Sequence, residues 1–282
     1  MTGWFWQSSS TPRRRLWPAL WLALLLAAPA FAGTVEPPLR VLLVGNSLIY
    51  HNDLAAHLDA LGEAATGRDV QVEMVTGPGG RINQQQELGL VQAERARGNY
   101  GLVLQEWGGG LNCGVELAKF DYHCDRAHEA HRQLVEAAAI QGAQVLLLGT
   151  YSLRAASGKK LAANEAKLAR ELAIGHVSLG DLLKLAKKFP DLKWFDVDGY
   201  HPGPATTALM AQRLLDRMIP GARPYLATPV HYLDYRGRQC PRANAPTTIQ
   251  QTGAAALDTT VQAPGWTWSR FRADAEADPD LD

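Results

Sequence analysis

Ser47 stands in "VLLVGNSLIYHND" (residues 41–53), where an apolar run passes through Gly45-Asn46 straight into a segment of helical character. Far downstream, Asp198 and His201 lie three apart in "WFDVDGYHPGP" (194–204). A serine hydroxyl is a weak nucleophile until a base takes its proton. An imidazole is such a base near neutral pH. A carboxylate three residues earlier in a Gly-containing turn can hold its Nδ1–H and leave Nε2 facing outward. Together the three residues make a nucleophile, a base and an orienting group, the set that transfers acyl groups. Each also has a plainer reading alone: Ser47 as a helix cap, and D-x-x-H-P as a surface turn.

Other residues compete for roles beside them. Asp196 is a rival carboxylate for His201. His51 and Asn52 line a pocket next to Ser47, or Asn52 simply caps a helix starting at Asp53. Glu106, after Gln105, reads as a group that holds a strand end. Cys124, His128 and His131 fall at i, i+4 and i+7 of one helical face; a solvated face with a disulfide at its start is preferred over a metal site, so no metal and no cofactor is expected. Trp107, Trp194, Trp266 and Trp268 suit either sugar stacking or packing.

These residues need a scaffold, and the hydrophobic pattern supplies one. "RVLLVG" (40–45), "VQVEMV" (70–75), "GLVLQE" (101–106), "AQVLLLG" (143–149) and "IGHVSLG" (174–180) read as strands, most of them apolar enough to be buried on both faces. Segments 53–66, 82–97, 125–141, 161–173 and 204–219 read as helices, the last opened by Pro202 and Pro204. Strand alternating with helix implies a parallel sheet covered on both faces. Ligands of such sheets bind beyond the carboxyl ends of the strands, which is where Ser47 falls. Neither a P-loop nor a dinucleotide-binding glycine pattern is present.

The outer segments set compartment and boundaries. Residues 1–32 carry Arg13-Arg14-Arg15, an apolar run and Ala30-Phe31-Ala32, the layout of a secretory signal peptide cleaved after Ala32. Pro18 and Pro29 interrupt the run, so no stable membrane anchor is expected after cleavage, and a periplasmic or secreted protein is. The chain has 28 basic and 28 acidic residues without a basic stripe, which argues against a nucleic-acid partner. The expected plan is a domain at 33–221, an insertion at 107–124, and a partly disordered extension at 222–282. Of the three cysteines, Cys113 and Cys124 are the preferred disulfide, with Cys240 bonded to either as the competing arrangement.

With these residues in place, the chain resembles the SGNH hydrolases, the GDSL-type esterases and lipases. "VGNSL" is similar to the first block, with Asn46 where Asp is usual, "TGPGGRI" to the second, and "DGYHP" to the last. The resemblance covers about residues 40–220 and implies a three-layer α/β/α flavodoxin-like fold with a five-stranded parallel sheet. It implies Ser47, Asp198 and His201 as catalytic residues, with an oxyanion held by Ser47 N–H, Gly80 N–H and a side-chain amide. That amide is normally an Asn in the third block. Here "VLQEWGGG" stands at the same place, and the role passes to Gln105, one methylene longer. The implied activity is hydrolysis of a small-molecule or glycan ester, such as an O-acetyl saccharide, or of a lipid ester. A non-catalytic ligand- or glycan-binding protein on the same scaffold is the alternative.

Overall fold

Val41, Leu42, Leu43 and Val44 are wholly buried, and they point alternately to the two faces of one sheet. Val41 and Leu43 join a core with Leu58, Leu61, Val103, Leu214 and Leu215, while Leu42 and Val44 join another with Ile82, Leu102, Leu104 and Leu134. A strand with no polar face must be covered on both sides, and the chain is wound accordingly. The computed structural model describes residues 37–98, 100–106, 110–111, 113, 121–220, 228–234 and 257–263. The expected signal peptide at 1–32, most of the 107–120 segment, Cys240, Trp107, Trp266 and Trp268 lie outside them.

The elements run β1 (Leu39–Asn46), α1 (Ser47–Tyr50), α2 (Leu54–Thr66), β2 (Val70–Gly77), α3 (Ile82–Glu87), α4 (Leu90–Arg95), β3 (Gly101–Leu104), α5 (Asp121–Ile140), β4 (Val145–Leu148), α6 (Ala155–Glu171), β5 (Gly175–Val177), α7 (Leu182–Lys188) and α8 (Pro204–Met218). Strands β1 to β5 form one all-parallel sheet in the order β2-β1-β3-β4-β5. This is the flavodoxin-like arrangement, in which the strand order reverses beside β1 and opens a crevice at its carboxyl end. Two further strands, β6 (Thr228–Asp234) and β7 (Leu257–Ala263), pair antiparallel, a feature the sequence reading does not contain.

Several boundaries differ from expectation for local reasons. The helix expected over 82–97 is two helices, because Gly89 adopts φ 68° and turns the chain between them. The helix expected from Asp125 begins at Asp121, and α6 begins at Ala155 rather than at 161. Asn52 does not cap α2. Asp53 does, accepting from Ala56 N at 3.2 Å with its own backbone left-handed at φ 51°, a conformation that Asp tolerates better than most residues. Cys113 and Cys124 form a disulfide, Cα–Cα 5.7 Å, at the start of α5.

Two histidines are sealed in the core. His57 on α2 and His131 on α5 are fully buried, and burial lowers each pKa to about 4, opposed only in part by Nδ1 bonds to Asp53 O and Ala127 O. An unfolded histidine takes its proton near pH 6.5. The folded state therefore has its full stability above pH ~6.5 and loses it as the pH falls toward 4, by up to ~3 kcal/mol per histidine. Asp59, raised to about 6 first by burial and then by Glu63, Asp69 and Asp53, works in the opposite sense, but it is half-exposed and offsets less. The urea midpoint is expected to fall between pH 7 and 4.5, with a shallower slope in His131→Gln.

Candidate active site

Ser47 is the first residue of α1, directly after the last residue of β1. The turn into α1 is made by Asn46, whose Oδ1 accepts from Leu48 N at 3.0 Å and whose Nδ2 donates to Gln105 O at 3.4 Å. An aspartate could make the first bond but not the second, so Asn46 ties the ends of β1 and β3 together. Gly45 is needed just before it. A Cβ there would overlap Ile49 Cδ1 and stand 3.0 Å from Gln105 O.

The second contribution comes from residues 194–203. Phe195 and Pro202 form an antiparallel bridge, Asp196 N donates to His201 O at 2.9 Å, and Gly199 turns the tip at φ 69°. The loop is held from outside by Tyr151 Oη, which donates to Tyr200 O at 2.6 Å, and by Asn52 Nδ2, which donates to Pro202 O. Within it, Asp198 Oδ1 accepts from Tyr200 N and His201 N, both at 2.9 Å, and Oδ2 accepts from His201 Nδ1 at 2.5 Å. Partial burial pushes the Asp198 pKa up, but the ring and backbone hydrogen bonds and the neighbouring imidazole outweigh it and hold the carboxyl well below its ordinary range. Asp198 thus stays ionised across the working pH range.

His201 Nε2 lies 3.0 Å from Ser47 Oγ. The line Ser47–His201–Asp198 therefore joins residues 154 apart in sequence, and its geometry allows proton transfer from the hydroxyl to the ring while the carboxylate fixes the tautomer. Asp196 does not compete for His201. It takes His51 instead, whose Nε2 donates to Asp196 Oδ2 at 2.5 Å.

The expected amide donors are placed differently. Gly80 N–H donates to Gly77 O at 3.0 Å, closing the turn before α3. Gly80 is confined there, since a Cβ would stand 3.0 Å from Gly77 O and 3.1 Å from Gly45 O. Gln85 Nε2 donates to Gly45 O and pins this turn to β1, a contact that no sequence signal announces. Gln105 is wholly buried, its Nε2 3.3 Å from Gly149 O at the end of β4 and 4.0 Å from Met210 Sδ. Glu106 accepts from Ile82 N at 3.3 Å, so it holds the start of α3 against the end of β3, the kind of holding role expected of it. Of the helical face considered for metal, the Cys124 sulfur is bonded to Cys113 and the His131 ring is inside the core.

No family model matches the chain, and no curated protein matches it in sequence. Solved structures do. An acetyl-xylooligosaccharide esterase from Geobacillus stearothermophilus superposes with a TM-score of 0.50 at 12% identity, covering 65% of this chain and 96% of that one. A catalytic mutant of an acetylxylan esterase from the same organism gives 0.50 at 12%, over 65% and 94%. A lipase/acylhydrolase from Enterococcus faecalis gives 0.49 at 13%, over 67% and 100%. The sheet order and the two likenesses at a TM-score of 0.50 show the fold, the three-layer α/β/α flavodoxin-like arrangement with a five-stranded parallel sheet.

The loop bearing His201 leaves no room at Gly203, where a Cβ would overlap Lys193 O and stand 2.9 Å from Phe195 O. Both are backbone atoms and cannot rotate away. Gly203→Ala is expected to destabilise the fold by about 1–3 kcal/mol and to displace the His201 ring resonances. Urea unfolding and NMR read the two effects.

Proposed function

We propose that this protein is a carboxylic ester hydrolase working through an acyl-enzyme on Ser47. The observation that carries the reading is the 3.0 Å approach of Ser47 Oγ to His201 Nε2, on a ring tied to Asp198 at 2.5 Å. As Ser47 Oγ attacks the acyl carbon, His201 takes its proton and Asp198 steadies the resulting imidazolium. The proton then passes to the departing alcohol oxygen. A water molecule enters, gives its proton to the same imidazole, and attacks the Ser47 ester. The acid leaves, and Ser47 Oγ recovers its hydrogen.

The oxyanion that forms in each half needs donors. Ser47 N–H, in the first turn of α1, is one. Gly80 N–H and the Gln105 amide are the other two in this reading, and each would turn from the carbonyl it now meets. For Gln105 that carbonyl is Gly149 O, under a fully buried side chain.

The substrate class follows from less. The fold neighbour from Geobacillus stearothermophilus is an acetyl-xylooligosaccharide esterase, and small acyl esters of saccharides are the class we propose for this chain, with lipid esters the other. A leader-like segment at 1–32 and the Cys113–Cys124 bond both favour an oxidising, extracytoplasmic site of action. Among the described residues, no helix is long and apolar enough to cross a membrane.

Ser47→Ala is expected to abolish both p-nitrophenyl acetate hydrolysis and labelling by a fluorophosphonate probe, with an unchanged circular dichroism spectrum. A folded Ser47→Ala protein of undiminished activity would sink the assignment. Wild-type protein that resists the probe would favour ligand binding without turnover. Gln105→Ala is expected to lower kcat by roughly 10²–10³ with little change in KM, as for a donor used in the transition state. If Gln105 only bridges β3 to Gly149, the variant instead loses stability and keeps its kcat.

A further inference from the structure

Beside the His201–Asp198 pair stands a second imidazole–carboxylate pair. His51 and His201 are stacked face to face, ring centroids 4.3 Å apart and planes 9° from parallel. His51 Nε2 donates to Asp196 Oδ2 at 2.5 Å, with the two side chains only 8% and 7% exposed. The two pairs and Ser47 all come from two pieces of chain, the turn after β1 and the loop at 194–203. Asp196 and Asp198 are two apart in one loop, while Ser47 and His51 are four apart, with His51 N donating to Ser47 O at 3.0 Å, so that one helical turn presents both toward the loop. The left-handed backbone at Asp53 and the bond from Asn52 to Pro202 O hold that turn against the loop.

An imidazole ring rotates in a broad torsional well about its Cβ–Cγ bond, so its plane must be set by its surroundings. In the free protein two hydrogen bonds hold the edge of the His201 ring, one with Asp198 and one with Ser47, and the Tyr200 ring packs at right angles with its centroid 5.4 Å away. The second hydrogen bond disappears once Oγ is esterified, because the oxygen no longer carries a proton to donate. From then on one side-chain hydrogen bond, to Asp198, limits rotation of the ring about its Cβ–Cγ bond. A flat surface against the ring face opposes that rotation, and His51 is such a surface.

Resting on the reading of Ser47 as the acylated nucleophile, we propose that His51, clamped by Asp196, is a positioning residue that keeps His201 in plane during hydrolysis of the acyl-enzyme. The base must then receive a proton from water and return it to Ser47 Oγ with no hydroxyl to register it. Its contribution therefore falls on deacylation rather than on acylation. This separates it from a hydrogen bond that merely stabilises the loop, whose loss would slow both halves alike.

His51→Gln keeps a polar group within reach of Asp196 and removes the ring face. The second-order rate of fluorophosphonate labelling, which needs only the acylation half, attack by Ser47 with its hydroxyl bonded to His201, is expected to stay within about threefold of wild type, while acyl-enzyme hydrolysis slows by about 10²-fold, the scale of a misplaced reacting group. Rapid mixing with p-nitrophenyl acetate would then show a burst of one product per enzyme followed by a slow steady state. Asp196→Asn, which weakens the clamp and leaves the ring, is expected to show the same selective loss to a smaller degree, and it carries the test if His51→Gln does not fold. Unchanged deacylation, or equal losses in labelling and deacylation, would overturn the proposal. Failure of the underlying reading looks different: Ser47→Ala would still turn over, or the wild-type probe adduct would map to another serine.

Discussion

The whole arrangement depends on β1 being paired on both sides and buried on both faces. Its residues Val41 to Val44 have no exposed surface, and it hydrogen-bonds to β2 along its full length and to β3 from Val41 to Val44. A strand so confined cannot slip in register without moving the cores on both faces. Its carboxyl end is therefore a firmly held place from which to launch a side chain. Ser47 is the first residue beyond it, and the turns carrying Gly80 and Gln105 are fastened to the same end by Gln85 and Asn46.

Rigidity here comes with many polar groups out of water. Asn46, Asn52, Asp53, Gln85, Gln105 and Glu106 are all buried around the ends of β1 and β3. Each would cost a few kcal/mol if left without a partner. Here their partners are mostly main-chain groups at strand ends and helix starts: Leu48 N, Pro202 O, Ala56 N, Gly45 O, Gly149 O and Ile82 N. Those backbone groups are left over where ladders stop and helices begin, so side chains complete what secondary structure leaves unsatisfied. The site is thus a solution to termination of the sheet as much as a set of reactive groups.

That origin explains what the sequence could and could not tell. The five strands were readable because "RVLLVG" and "AQVLLLG" are too apolar for a half-exposed sheet, and the pairing of Asp198 with His201 was readable because three residues and a glycine enforce it. Helix ends were less legible. The break at Gly89 lies inside a run of good helix formers, and α7 follows β5 with only a short amphipathic stretch to signal it. Contacts such as Tyr151 with Tyr200 O, or His51 with Asp196 across 145 residues, depend on where two elements come to rest. The sequence offered His51 and Asp196 as separate candidates, and only packing makes them one pair. Gln105 shows the opposite case: its position after β3 was legible, but the direction of its amide was not.

The closeness of Asp198 to His201 has a mechanical consequence. Their bond lies within one turn of chain, so it travels with the loop wherever the loop goes. The bond from His201 to Ser47 has no such protection, since it spans the junction between the loop and the end of β1. That junction is closed by a handful of contacts, among them Asn52 with Pro202 O and His51 with Asp196. Local opening of a few contacts needs less free energy than melting the sheet. Mild denaturant should then detach an intact acid–base cartridge from its nucleophile, leaving a molecule whose sheet and helices are intact and which is chemically silent.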